Sequence, residues 1–204
     1  MRLPSHFYAI VDPAGGHEPA ELARILLEAG ARVLQLRLKN ASSRDFLAAA
    51  RAITPLCRAC GALFIVNDRC DIALLAGADG VHLGQNDLPL DAGRRLLGPD
   101  KIIGVSTASV EMARAAEAGG ADYIGFGPMY TGGLKNIKVG HGLQRLGDVR
   151  AAVKVPIVAI GGITEARVAE VLRAGADAAA IITDVVNAVD IGAKVRAILG
   201  ANAG

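Results

Sequence analysis

SVEMARAAEAGGADYIGFG, residues 109–127, reads as a helix, a glycine stop and a buried strand in immediate succession. Polar and acidic residues lead the helical part, apolar positions recur with helical spacing, and glycine closes it, as helix caps require. The apolar run that follows does not alternate, as expected of a strand covered on both faces. The same grammar recurs along the chain. EPAELARILLEAG (18–30) and TEARVAEVLRAG (164–175) are further helices of this kind. Strand-like runs fall at Phe7–Asp12, Val33–Leu38, Leu63–Asp68, Gly80–Gly84, Ile102–Ser106, Tyr123–Gly127, Ile157–Gly162 and Ala178–Thr183. Alternating strands and helices imply parallel strands with right-handed crossovers. That leaves an open doubly wound sheet or a closed barrel. A repeat decides between them. Gly-Ala followed by Asp or Arg occurs at 30–32, 77–79, 120–122 and 175–177, always between a helix and the next strand. Each interval holds two strand–helix units. A fourfold series of paired units is what a (β/α)8 TIM barrel gives, and each of these glycines should end a helix in the left-handed region.

The composition agrees with that fold. The chain has 204 residues, suited to one domain of about 150–200 residues. We therefore expect residues 1–204 to form a single α/β barrel with tight loops, its last residues, Leu199–Gly204, frayed. Hydrophobic residues make up 52%, which excludes disorder, and aromatics only 3%, so the core must be aliphatic. The net charge of +2 argues against a nucleic-acid or membrane-surface partner. No apolar run approaches the ~18 residues of a membrane span, and no signal-peptide pattern opens the chain, so a cytoplasmic location is expected. Cys57 and Cys60 form a C-x-x-C. Without a second pair, they read as small apolar residues on a helix rather than a redox or zinc motif. The four histidines show no metal-binding spacing, and His82, inside a strand, reads as a packed structural residue.

Barrel active sites form at the C-terminal ends of the strands, so polar residues there carry the chemistry. Gln35, Arg37 and Lys39 share one side of the second strand, and two cations on an apolar barrel wall point to anion binding. The third strand ends in Asn67-Asp68, the fourth runs on to Asp87, and the fifth ends in Ser106. Asp68 and Asp87 are helix caps or, beside two cations and a phosphate, ligands for Mg2+. The connection 128–142 is long and rich in Gly and Lys. It reads as a lid bringing Lys135 over an anion, or as a plain connection with solvated lysines. Gly161-Gly162 and Ile182-Thr183, after the seventh and eighth strands, match the common phosphate site of barrels. No nucleophile–base pair is evident. Two anion regions and a metal suit a transfer that expels a diphosphate.

Gln35–Lys39, Val66–Arg69, Gly80–Asp87, Gly104–Ser106, Ala121–Pro128 and Ala159–Ile163, in this order and spacing, resemble the thiamine-phosphate synthase family over nearly the whole chain. The resemblance implies a barrel transferase that joins hydroxymethylpyrimidine diphosphate to a thiazole phosphate and releases diphosphate. It implies that Gln35, Arg37, Lys39, Asn67, Ser106 and Lys135 bind the pyrimidine diphosphate, with Arg37, Lys39, Ser106 and Lys135 acting in catalysis. Asp68 and Asp87 would hold Mg2+. Gly132, Leu134, Gly162, Ile182 and Thr183 would meet the thiazole phosphate. The implied mechanism is dissociative, through a pyrimidinylmethyl cation that the thiazole nitrogen captures. The implied partners are these small phosphorylated substrates, with self-association left open. The chain departs from the family pattern in the second half-site. Gly132-Gly133-Leu134-Lys135 stands where the family has Thr-x-Thr-Lys, and Thr183 stands for Ser. Asp184 follows Thr183, and a carboxylate there would repel a phosphate. Two other readings follow from those departures. One is the sister thiazole tautomerase, which tends to carry His where this chain has Pro128. The other is a non-catalytic phosphate-ligand binder.

Overall fold

Eight short parallel strands close on themselves in chain order, from β1 round to β8, and the helices wrap them. The strands are β1 (Phe7–Val11), β2 (Val33–Leu36), β3 (Leu63–Asn67), β4 (Gly80–Leu83), β5 (Ile102–Thr107), β6 (Tyr123–Phe126), β7 (Ile157–Ile160) and β8 (Ala178–Ile181). This computed structural model describes residues 2–131 and 142–201. The helices are α1 (Pro19–Glu28), α2 (Ser43–Ala59), α3 (Cys70–Ala76), α4 (Leu90–Leu97) and α5 (Val110–Ala118), followed by α6 (Gly142–Ala152), α7 (Val168–Arg173), α8 (Thr183–Val186) and α9 (Ile191–Gly200). The fold is therefore the (β/α)8 barrel read from the repeat. Most strands end one or two residues earlier than the apolar runs suggest, because the chain bends into its loops at once. β5 instead extends to Thr107. Of the tail expected to fray, Leu199 and Gly200 belong to α9 and Leu199 packs on the core, while residues 202–204 lie outside the described residues.

Strand alternation splits the apolar residues into two cores. Phe7, Ala9 and Val11 of β1 join the large shell between strands and helices, whereas Tyr8 and Ile10 point into the barrel. The interior core is small, with Val33, Tyr123, Val158, Ala178 and Ala180 among its members. Glycines make room for what fills it. A Cβ on Gly104 would lie 2.0 Å from the Tyr123 ring, and one on Gly125 would lie 2.9 Å from the His82 ring.

The repeat has a mechanical role. Gly30, Gly77, Gly120 and Gly175 all adopt positive φ, as expected of helix stops. In three copies the following Asp clamps the preceding strand. Asp79 donates its N–H to Phe64 O (2.9 Å) and accepts Phe64 N–H on its carboxylate (2.8 Å). Asp122 does the same to Ile103, and Asp177 to Ile157. Each clamp joins one strand pair, β3–β4, β5–β6 or β7–β8, at its N-terminal end. The first copy has Arg32 instead, whose guanidinium donates to Ala31 O.

The three cysteines are free thiols. Burial pushes the Cys57 thiol up to about 12, so it is a packed apolar residue rather than half of a redox pair. Among the described residues, no helix is long and apolar enough to cross a membrane.

Removing a clamp should leave a strand N–H without its acceptor. Asp79→Ala is expected to cost about 1–3 kcal/mol, read as a lower midpoint in chemical or thermal unfolding. Asp79→Asn, which keeps a carbonyl oxygen for Phe64 N–H, should lose much less. Equal losses in the two variants would remove the clamp from the account.

Candidate active site

The inward side chains and strand ends converge on one cavity of about 260 Å³ at the C-terminal mouth of the barrel. Gln35, Arg37, Lys39, Asn67, Asp68, Ser106, Gly162, Ile182 and Thr183 all line it. Residues chosen from five separate segments thus meet in one place, and Asp87 stands just behind them, against Gly84. Gly132, Leu134 and Lys135, with most of the expected lid, fall outside the described residues.

β2 stops at Leu36, so only Gln35 of the expected one-sided triplet belongs to the strand. Arg37 still holds the ladder, its N–H donating to Val11 O, and Lys39 sits in the loop beyond. Neither cation stands alone. Arg37 pairs with the buried Asp12, and Lys39 Nζ lies 3.1 Å from Asp68 Oδ2. Asp12 also caps the turn after β1 by accepting from Ala14 N–H. It went unselected in the sequence because an Asp before Pro13 reads as an ordinary strand stop.

Asp68 has φ of +64°, a left-handed conformation that Asp tolerates better than most residues, and its N–H donates to His82 O. Burial, and the Asp87 carboxyl within hydrogen-bond reach, raise its pKa above the ordinary carboxylate value; Lys39 opposes them. Asp87 in turn accepts Gly84 N–H at 2.7 Å. Two carboxylates close together beside an open cavity are a donor set of hard oxygens. Among the described residues no third His, Cys, Asp or Glu completes a cage. Mg2+ fits that donor set, because it is commonly held by one or two carboxylates with water and substrate phosphate filling the rest.

Below the mouth lies a polar floor that the sequence hid. His82, expected as a packed residue, is hydrogen-bonded on both ring nitrogens, to Tyr123 and to Ser106. Burial holds it down at about 4, so it is neutral at pH 7. Tyr8 and Tyr123 touch through their hydroxyls at 2.7 Å, and Gln35 Nε2 donates to Tyr8 at 2.9 Å. The only hints were a Tyr in each of two apolar runs and glycines at the facing positions.

On the β7–β8 side, Gly161 and Gly162 take positive φ, and Arg167 braces the turn by donating to Gly162 O while stacking on Tyr130. The repulsion expected from Asp184 is answered by its surroundings. Its carboxylate lies in an outer groove, accepting Glu165 N–H at 2.9 Å with Lys194 Nζ at 3.6 Å.

The chain matches the family model described as thiamine monophosphate synthase over residues 7–185. It is 50% identical over 184 residues to a thiamine-phosphate synthase of Methanoculleus marisnigri, covering 90% of this chain and 87% of that one. A thiamine-phosphate synthase of Moorella thermoacetica is 48% identical over 183 residues, covering 89% and 87%. Among solved structures, a thiamine phosphate pyrophosphorylase from Pyrococcus furiosus superposes with a TM-score of 0.87 at 38% identity, covering 94% of this chain and 92% of the other.

All three tyrosines of the chain are raised above their ordinary value. Burial is the main cause for each, and for Tyr130 the hydrogen bond to Glu170 adds to it. An acid whose folded pKa exceeds its unfolded value of about 10 stabilises the fold fully below pH 10, and that contribution is lost as pH climbs towards the folded value. Tyrosinate absorbance should therefore stay flat past pH 10 in the native protein and appear in one step with alkaline unfolding. A titration at the ordinary pKa with native circular dichroism would contradict the buried floor.

Proposed function

We infer the chemistry from one premise: the chain belongs to the thiamine monophosphate synthase family. It is a transferase that joins hydroxymethylpyrimidine diphosphate to a thiazole phosphate and releases diphosphate. The tautomerase and non-catalytic readings find no support in its relatives, which carry the synthase name over most of their length.

The roles of individual residues are our reading, and one arrangement supports it. Arg37, Lys39 and Asp68, at the ends of β2 and β3, face across one cavity the glycine turn and α8 that follow β7 and β8. That gives two anion-receiving regions on opposite walls. Arg37 and Lys39 receive the diphosphate, with Asn67 and Ser106 beside them, and Gln35 meets the pyrimidine. Asp68 and Asp87 hold Mg2+, which when bound supplies positive charge to the leaving diphosphate. Gly162, Ile182 and Thr183 take the thiazole phosphate. Asp12 keeps Arg37 aimed along the wall. Lys135 keeps the role that the family pattern gives it, and Gly132 and Leu134 stand at the thiazole-phosphate positions without the family's hydroxyls.

The reaction is dissociative in this reading. Fixed cations stabilise the departing diphosphate more than the intact ester, which is where rate enhancement arises. The pyrimidinylmethyl cation left behind rests over a floor whose tyrosine hydroxyls and imidazole are hydrogen-bonded to one another. The thiazole nitrogen, delivered from the β7–β8 wall, is the nucleophile at hand.

The test is a coupling assay with Mg2+, both substrates and purified protein, quantifying thiamine phosphate. The native enzyme should turn over, lose activity in chelator and regain it with Mg2+. Asp68→Ala should fall by about 10²-fold or more while keeping its circular dichroism. Near-normal turnover in Asp68→Ala would displace the metal assignment, and no product from the native enzyme would displace the substrate pair.

A further inference from the structure

Five side chains link across the barrel below the cavity. Gln35 Nε2 donates to the Tyr8 hydroxyl at 2.9 Å, and Tyr8 and Tyr123 hydroxyls meet at 2.7 Å. Tyr123 contacts His82 Nδ1 at 3.0 Å, and His82 Nε2 contacts Ser106 Oγ at 2.8 Å. Tyr8, Tyr123 and His82 form the middle, and Gln35 and Ser106 are the ends. All five border the cavity.

Proton counting gives the chain a direction. Each hydroxyl has one proton to give. Tyr8 accepts from the Gln35 amide at 2.9 Å, and with its own proton aimed at Tyr123 the rest of the chain follows. Tyr123 then gives its proton to His82 Nδ1. The imidazole must carry its proton on Nε2 and donates it to Ser106. Ser106, having accepted, keeps its hydroxyl proton for the cavity. A doubly protonated imidazole would aim Nδ1–H at a hydroxyl that already accepts from Tyr8, leaving the Tyr123 proton without an acceptor in the chain. Reversing the direction would reverse Tyr123, His82 and Ser106 together, with Tyr8 then accepting from both Gln35 and Tyr123.

We propose that Tyr8, Tyr123 and His82 are positioning residues that set the hydrogen-bond polarity of the pyrimidine pocket. They lock Gln35 with its carbonyl oxygen and second N–H available to the ring, and they make Ser106 a donor. The proposal rests on the synthase reading for its ligand. An aminopyrimidine carries an amino donor beside a ring-nitrogen acceptor, and an amide matches that pair with its own C=O and N–H. An oxo-pyrimidine of the same shape carries the reverse pair. A locked amide meets it acceptor to acceptor and donor to donor. A site with fixed polar groups rejects such an analogue far more strongly than a pocket chosen by shape alone.

Tyr123→Phe and Tyr8→Phe each cut the chain and keep the ring. The readout is the ratio of kcat/KM for the aminopyrimidine diphosphate to that for its oxo analogue. The native enzyme should prefer the amino form by about 100-fold or more, and each variant should lower that ratio by about 10-fold. A purely structural role would lower both rates together and leave the ratio unchanged. An independent readout needs no turnover. Nitrogen-15 correlation spectra of the unliganded native protein, with His82 assigned by its loss in His82→Asn, should show Nε2 protonated and Nδ1 bare. Protonation on Nδ1 would overturn the proposal, and so would an unchanged ratio in both folded Phe variants. If the native protein makes no thiamine phosphate, the synthase reading fails while the His82 tautomer still judges the chain.

Discussion

The reciprocal Asp clamps at the bottom of the barrel are the constraint on which the rest depends. In a parallel barrel, register decides which side chains point inward, and a slip of one residue exchanges the two faces of a strand. Asp79, Asp122 and Asp177 each grip both backbone groups of one residue on the neighbouring strand, so β3–β4, β5–β6 and β7–β8 cannot slide. Those registers send Asn67, His82, Ser106 and Tyr123 inward. The β1–β2 pair has Arg32 in place of the Asp and is secured at its other end, by Arg37 N–H on Val11 O and the Arg37–Asp12 ion pair. Stability residues thus gather at the N-terminal face, and the C-terminal face is left to polar loops. At β1–β2 one arginine does both jobs.

The interior follows from scarcity. With no Trp and few aromatics, two of the three tyrosines go inside the barrel. A buried hydroxyl needs a partner, or it costs as much as a lost hydrogen bond. Each hydroxyl here satisfies the next, and the series ends only at groups that reach the cavity. The glycines of β5 and β6 belong to the same solution, since Gly104 and Gly125 leave space for the rings. Packing and recognition share the same atoms on this floor.

The fold was legible because its signals are repetitive. A Gly-Ala-Asp stop copied along the chain carries more information than any single propensity, and all four glycines take the positive φ it implies. The mouth residues were legible because cations and carboxylates stand out against apolar strands. Two kinds of feature were not. Tyr8, Tyr123 and Asp12 are single residues in apolar runs, and only strand order brings them to Gln35, His82 and Arg37. The direction of a side chain was also hidden. Asp184 reads as a charge beside a phosphate site, yet the turn at Glu165 and Lys194 of α9 draw it into the outer groove.

Charge at the mouth is arranged for exchange rather than for attraction alone. Arg37 and Lys39 already face carboxylates; the half-exposed Lys39–Asp68 pair contributes little stability, whereas Arg37–Asp12 is largely buried. Asp68 is held between Lys39 and Asp87, with one neighbour favouring its charge and the other opposing it. In the roles proposed above, a diphosphate bound with a divalent ion would relieve both conflicts. Lys39 would turn to phosphate oxygens, and Asp68 and Asp87 would hold the cation instead of repelling each other. The net charge of the site changes little, so binding need not bury an unpaired ion at any stage. A mouth of unpaired cations would hold the diphosphate product as firmly as the substrate. Pre-paired cations give back part of that affinity, which favours release once the ester bond has broken.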